Sequence, residues 1–271
     1  MDVRGVICSL FGAPRALIGV IHAGALPGTP ASRLPVRAIA DLAAAEAEVY
    51  AKAGFHGLIV ENTHDRPYVK GAAVGSEIVA AMSIVGDAIR RAASLPLGIQ
   101  VLAGANRAAV AVAHACGAAF VRVEGFVFAH VADEGIIESS AGDLLRYRRM
   151  IGAESVLVFA DIKKKHSAHA ITADVDIAET AKAAEFFSVD GVVVSGLSTG
   201  GPTDPDEVDA VSRAVTVPTL IGSGITPENI ARYPGADAFI VGSSVKRGGV
   251  WSGELDAGRV GAVVEALHAA T

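Results

Sequence analysis

A single (β/α)8 barrel spanning residues 1–271 is the fold this sequence predicts, and three observations carry it. The length, 271 residues, falls in the usual range for one such barrel. Eight short apolar runs alternate with Ala-rich segments of helical character. Gly-Ser turns follow the last two runs, where barrels of this class commonly hold anions. Apolar residues make up 51% of the chain and aromatic ones only 5%. Small helix faces and β-branched strands suit tightly wound α/β layers better than a sandwich.

The expected strands, in order, are 17–22, 57–62, 97–102, 120–124, 156–161, 191–195, 219–222 and 238–241. Several are near-continuous apolar runs, as parallel strands covered by helices should be. Helical segments are expected near 35–53, 76–93, 106–116, 141–152, 174–187, 205–214, 226–232 and 256–269. Asp204 before Pro205 and Thr226 before Pro227 read as N-cap and first-turn pairs. Eight units favour closure; periodicity alone leaves an open, doubly wound sheet as the alternative. Three strand-to-helix loops are long, 23–34, 63–75 and 125–141. All fall on the face that carries active sites in this fold, which suggests lids or specificity elements.

The net charge is −6, and no basic run suggests nucleic acid or a membrane surface as a partner. No apolar run reaches membrane-spanning length. The apolar stretch 5–13 lacks the flanks of a signal peptide, so a cytoplasmic protein is expected. Cys8 and Cys116 fit no metal or disulfide spacing and read as reduced thiols. No cofactor and no metal is expected, and a homo-oligomer is.

TLIGSGITPENI at 219–230 and AFIVGSSVKRGG at 238–249 each read as a buried strand, a Gly-Ser turn and a helix start. Glycine lets backbone approach an anion, and free amides at a helix start carry partial positive charge. Gly222, Ser223 and Gly224 would form one wall of a phosphate cradle, and Gly242, Ser243 and Ser244 the other. Gly196, Thr199 and Gly200, from the turn after the sixth strand, would complete it.

Strand parity supplies the chemistry. Side chains alternate between the barrel interior and the helix layer. A charge facing the helices would be buried against apolar surface at high cost. Charges on the strands should therefore point inward, near the open end. This reading brings His22, Glu61, Arg122, Glu124, Asp161 and Lys163 to one mouth as candidate catalytic groups, with Gln100 adding an amide. Neighbouring carboxylates and a Lys or His can divide acid and base roles. Lys163 could neutralise an oxyanion or form a Schiff base, and at most one of Lys163, Lys164 and Lys165 is expected to point inward. Asn62 and Asp65 could bind ligand hydroxyls. His166 and His169 could ligate a metal beside Asp161, though a solvated loop is the favoured account.

Together these segments resemble the BtpA family, often labelled membrane complex biogenesis proteins. The carrying motifs are IGVIHAGALPGTP (18–30), VENTHDRP (60–67), FVRVEG (120–125), DEGIIESSAGDLLRYR (133–148), ADIKKKHS (160–167), VVVSGLSTGGP (192–202), IGSGITPENI (221–230) and FIVGSSVK (239–246). They span nearly the whole chain in order. The resemblance implies a phosphate-binding TIM barrel, in a family named for photosystem I accumulation in cyanobacteria. Bacterial members among sugar-utilisation genes imply an enzyme for a phosphorylated sugar or nucleoside-like compound. The chain departs from the family pattern at Ala23–Gly24–Ala25, at Ala103–Gly104–Ala105 and at Glu124, where the family tends to have Asn.

The leading expectation is an enzyme for a small phosphorylated ligand. Isomerisation, aldol-type cleavage and glycosidic hydrolysis each suit Glu124, Asp161 and Lys163 as acid, base and electrostatic stabiliser. The alternatives are a non-catalytic assembly factor that keeps the anion site, and a metal-dependent hydrolase using His22, Asp161 and His166.

Overall fold

The computed structural model describes residues 5–196 and 200–270. Its strands, in chain order, are β1 (Ala16–His22), β2 (Gly57–Glu61), β3 (Leu97–Gln100), β4 (Phe120–Val123), β5 (His130–Ala132), β6 (Gly135–Ile137), β7 (Leu157–Ile162), β8 (Ser167–Ala168), β9 (Gly191–Val194), β10 (Thr219–Ile221) and β11 (Ala238–Val241). All but β5, β6 and β8 join one closed parallel barrel in the order β1-β11-β10-β9-β7-β4-β3-β2. The last strand returns to the first, with Ala16 opposite Ala238. That pairing rules out the open sheet.

Most strands end one or two residues short of the expected limits, because the next residue turns away to brace a loop. Asn62, for example, leaves β2 to accept the Leu102 amide at 2.7 Å. The α-helices are α1 (Gly5–Phe11), α2 (Val36–Ala53), α3 (Ser76–Ala92), α4 (Asn106–Cys116), α5 (Ala141–Met150), α6 (Ile177–Phe186), α7 (Pro205–Ala214) and α8 (Ala257–Ala269). The cap at 204–205 forms as expected: Asp204 accepts the Asp206 amide and Pro205 opens α7. The expected helix at 226–232 does not. Thr226 donates its amide to Asn229, and only a single 3-10 turn, Ile230–Arg232, precedes Tyr233-Pro234-Gly235. Proline and glycine stop the segment before a second turn can form.

The barrel interior follows the predicted parity. Ile18, Val20, Ile59, Phe120, Phe159, Val193, Leu220 and Ile240 fill it. Large rings fit because glycines face them: a Cβ on Gly98 would overlap the Phe120 ring, and one on Gly57 would come within 2.5 Å of Phe11. The floor is closed by α1, which lies within the apolar stretch 5–13. Ile7 and Phe11 are buried there, and Phe11 meets Phe120 edge-on at 5.7 Å between ring centres. The small sheet β6-β5-β8 joins the loops after β4 and β7. Its hairpin tip, Asp133 and Glu134, reaches the barrel mouth. One of the three long loops, 125–141, is thus built as part of a lid.

Candidate active site

The mouth is organised around Arg122. Its Nε and Nη2 donate to the two carboxylate oxygens of Asp161 at 2.7 and 2.9 Å, and Nη1 donates to Glu61 at 3.3 Å. All three residues are buried. Adjacent strands supply Arg122 and Asp161, and β2, two strands from β4, supplies Glu61, so the fork fills the interior just above the apolar layer. Burial works against the guanidinium charge, and the Asp161 carboxylate more than offsets it, so the pKa of Arg122 is raised.

Glu124 stands beside this cluster. One oxygen accepts from Lys164 Nζ at 3.1 Å and from the Gly104 amide at 3.2 Å. The other accepts from Gln100 Nε2 at 3.4 Å. Asn106 clamps the Glu124 backbone at both its amide and its carbonyl. Burial raises the pKa of Glu124, and Lys164 opposes that shift. Gln100 Oε1 is buried with no partner among the described residues, an acceptor left for something else.

His22 closes the β1 side. Its Nδ1 lies 2.8 Å from the Trp251 carbonyl, so Nδ1 carries the proton and Nε2 is left as the basic nitrogen. Burial, then the nearby Lys246 charge, pulls its pKa down to about 3. Trp251 also packs against His64, and Arg66 stacks over its ring at 4.8 Å. Lys246 is buried and holds both oxygens of Glu46 at 2.7 Å, tying the loop after β11 to α2.

The expected orientation of Lys163 is corrected. Lys163 adopts φ 44°, in the left-handed region, which breaks strand alternation directly after β7. Its Nζ is carried away from the main cavity to the Thr172 carbonyl at 3.1 Å. Lys164 and Lys165 line that cavity instead, so two of the three lysines face inward rather than at most one. His166 lines it too, whereas His169 bonds the Lys164 carbonyl outside it.

Asn62 and Asp65 line no part of the cavity. Asn62 donates to Asp65 at 2.9 Å, and Asp65 accepts the Leu26 amide at 2.7 Å, so the pair laces together the loops after β1, β2 and β3. Among the described residues no group of three or more His, Cys, Asp or Glu side chains is placed to hold a metal ion. Asp161, a candidate ligand in the hydrolase alternative, directs both oxygens at Arg122.

One cavity is lined by His22, Glu61, Gln100, Arg122, Glu124, Lys164 and Lys165 and by Gly200, Gly222, Ser223, Gly224, Gly242 and Ser243. A second hollow continues past Gly224 and Ser243 to Ser244 and Arg259. The Ser223 hydroxyl accepts the Gly196 amide at 2.9 Å and donates to the Gly201 carbonyl at 3.4 Å, so it staples two of these loops. Gly224, at φ 70°, passes so close to Gly201 that no side chain fits. The amides of Gly224, Ser243 and Ser244 have no acceptor among the described residues. The Ser244 hydroxyl is buried and likewise without a partner among them. Thr199 lies outside the described residues.

Fold and site together define a TIM-barrel protein with a polar cavity at the carboxyl ends of its strands. The BtpA family model matches residues 13–269, and the chain belongs to that family. It is 34% identical over 259 residues to "Photosystem I biogenesis protein BtpA" of Synechocystis, covering 95% of this chain and 89% of that one. A Caenorhabditis elegans protein labelled mitochondrial is 49% identical over 266 residues, 96% of each chain. Among solved structures, thiamine phosphate pyrophosphorylase from Pyrococcus furiosus superposes with a TM-score of 0.57 over 98% of both chains at 11% identity, a likeness of fold. No helix among the described residues is long and apolar enough to cross a membrane.

Proposed function

We propose that this protein is an enzyme acting on a small phosphorylated metabolite, a sugar phosphate or nucleoside-like phosphate. The observation that carries the reading is a single cavity lined by two kinds of group. Glycine and serine backbone comes from Gly200, Gly222–Gly224, Gly242 and Ser243, and ionisable side chains come from Glu61, Arg122, Glu124, Lys164, Lys165 and His22. Backbone amides suit a phosphate, and convergent polar side chains in one cavity suit the rest of a small metabolite. Glu124, bonded to the Lys164 ammonium, passes that proton to the substrate, and neutral His22 presents an unprotonated Nε2 as a hydrogen-bond acceptor. Arg122 steadies developing negative charge. Isomerisation, aldol-type cleavage and glycosidic hydrolysis are all open to this set.

The test is thermal unfolding of the purified chain against a panel of sugar and nucleoside phosphates, with the unphosphorylated compounds as controls. A ligand at a hundredfold excess over its Kd adds about 2.7 kcal/mol to the native state. Stabilisation by phosphorylated members alone is expected, and no shift with any of them sinks the proposal. The Synechocystis relative's name supports a second reading, an assembly factor for a membrane complex that keeps the anion site. Glu124→Gln separates the two: an enzyme loses its cellular role with that change, and an assembly factor keeps it. A homo-oligomer belongs to the same proposal. Exposed Phe186 (84%) and Phe187 (49%) mark the face to examine, and light scattering of the wild type against Phe186→Ser checks it.

A further inference from the structure

We infer that Lys165 is an amine nucleophile that forms an imine with the carbonyl group of an aldose or ketose phosphate held in this cavity. The inference rests on the phosphate reading above and deepens it.

Three neighbouring lysines reach different ends. Lys163 is committed to the Thr172 carbonyl and Lys164 to the Glu124 carboxylate. Lys165 makes no ion pair and no hydrogen bond among the described residues, yet it lines the same cavity as the glycine loops and the carboxylates Glu61 and Glu124. Its placement is enforced by backbone. Lys163 at φ 44° and His166 at φ 55° both occupy the left-handed region, which a side chain adopts only under external constraint. These two residues bracket the turn that directs Lys164 and Lys165 inward. The constraint comes from the lid, where β8 (Ser167–Ala168) pairs with Val131 and Ala132 of β5 directly after His166.

The surroundings suit an amine that must lose its proton. Burial, and then the Arg122 guanidinium, lower the pKa of Lys165, while Glu61, Asp161 and Glu124 pull the other way less strongly. Imine formation needs no partner outside this set. The Lys165 lone pair adds to the carbonyl carbon, and one of the two protons on that nitrogen passes to the carbonyl oxygen, which becomes a hydroxyl. A proton relayed from the Lys164 ammonium through Glu124 lets that hydroxyl leave as water as the C=N bond forms, and the nitrogen keeps its last proton as an iminium. The arrangement would serve isomerisation and aldol-type cleavage, in which an iminium withdraws electrons from the neighbouring carbon.

The experiment uses the full chain with glyceraldehyde phosphate and, separately, pyridoxal phosphate, each followed by sodium borohydride and peptide mapping by mass spectrometry. The expected result is one adduct per chain on Lys165, suppressed by excess inorganic phosphate. It should be lost in Lys165→Arg and retained in Lys163→Ala, whose side chain lies outside the main cavity. Labelling should also proceed at a lower pH than for an exposed lysine. Adducts on Lys163 or Lys164, or spread over surface lysines, overturn the assignment, and mapping of the wild type decides this even if a variant fails to fold. Absence of an adduct, when the same compounds raise the unfolding temperature, overturns the imine and leaves the phosphate reading intact. Absence of both removes the two together.

Discussion

At Arg122 one guanidinium answers two carboxylates, Asp161 through two bonds and Glu61 through a third. A buried charge left without its partner costs far more than an exposed one. Arg122→Met should therefore destabilise the fold by about 3–5 kcal/mol, read from urea unfolding, because both carboxylates lose their counter-charge. Adding Asp161→Asn should return part of that loss. If the double variant is as unstable as the sum of the two singles, the pair does not act as a unit. Parity along β2, β4 and β7 was enough to bring these three residues to one place from the sequence. Parity failed at Lys163 for a definite reason: alternation ends with the strand, and the left-handed turn at Lys163 is imposed by lid pairing that no local pattern carries. Asn62 and Asp65 depart from expectation for another reason. Short polar residues at a strand exit look the same whether they bind a ligand or brace a loop, and here they brace loops.

Among the elements, α1 shows what a short segment hides. It has seven residues, too few for a helical period to stand out, and its purpose lies in the floor of a barrel whose strands are far away in sequence. Phe11 fills the space left by the absent side chain of Gly57 and meets the edge of Phe120. Phe11→Ala removes that ring and leaves a cavity under the interior layer. A loss of about 3–5 kcal/mol in denaturant unfolding is expected. Phe11→Leu should cost less than half as much, and equal losses would mean that α1 is unseated rather than hollowed. The lid strands were invisible for a related reason: three-residue and two-residue strands carry no alternation. Barrel strands and most helices were legible because each buries one face against a layer that repeats around the molecule. The helix expected at 226–232 was not built, since cap signals without room for two turns do not make a helix.

Over the whole molecule, the groups that set the response to acid are histidines held neutral. His22 is brought to about 3 and His130 to about 4, each chiefly by burial. His56 and His64 are also lowered, again chiefly by burial, and His56 Nδ1 accepts the Leu17 amide, a bond that only the unprotonated ring can make. In the unfolded chain these rings titrate near 6.5. As pH falls through 6.5 the unfolded state takes up protons that the native state refuses, so stability declines. The contribution of His22 is present above pH 6.5 and is lost progressively until about pH 3; that of His130 is lost until about pH 4. Glu124, Asp65 and Glu207 act in the opposite sense. Burial raises their pKa values, so their contribution is present below the unfolded carboxyl range and fades as pH rises. The two sets overlap in mildly acid solution, so the total curve alone does not isolate the histidines. A comparison does. Between pH 7 and pH 5 the wild type should lose about 1–2 kcal/mol per histidine more than a variant carrying His22→Gln and His130→Gln. The variant should be less stable at neutral pH, since its packing is altered, but its curve should be flatter. Urea unfolding at both pH values measures the difference directly, and parallel curves for the two proteins would show that the buried rings do not govern acid stability.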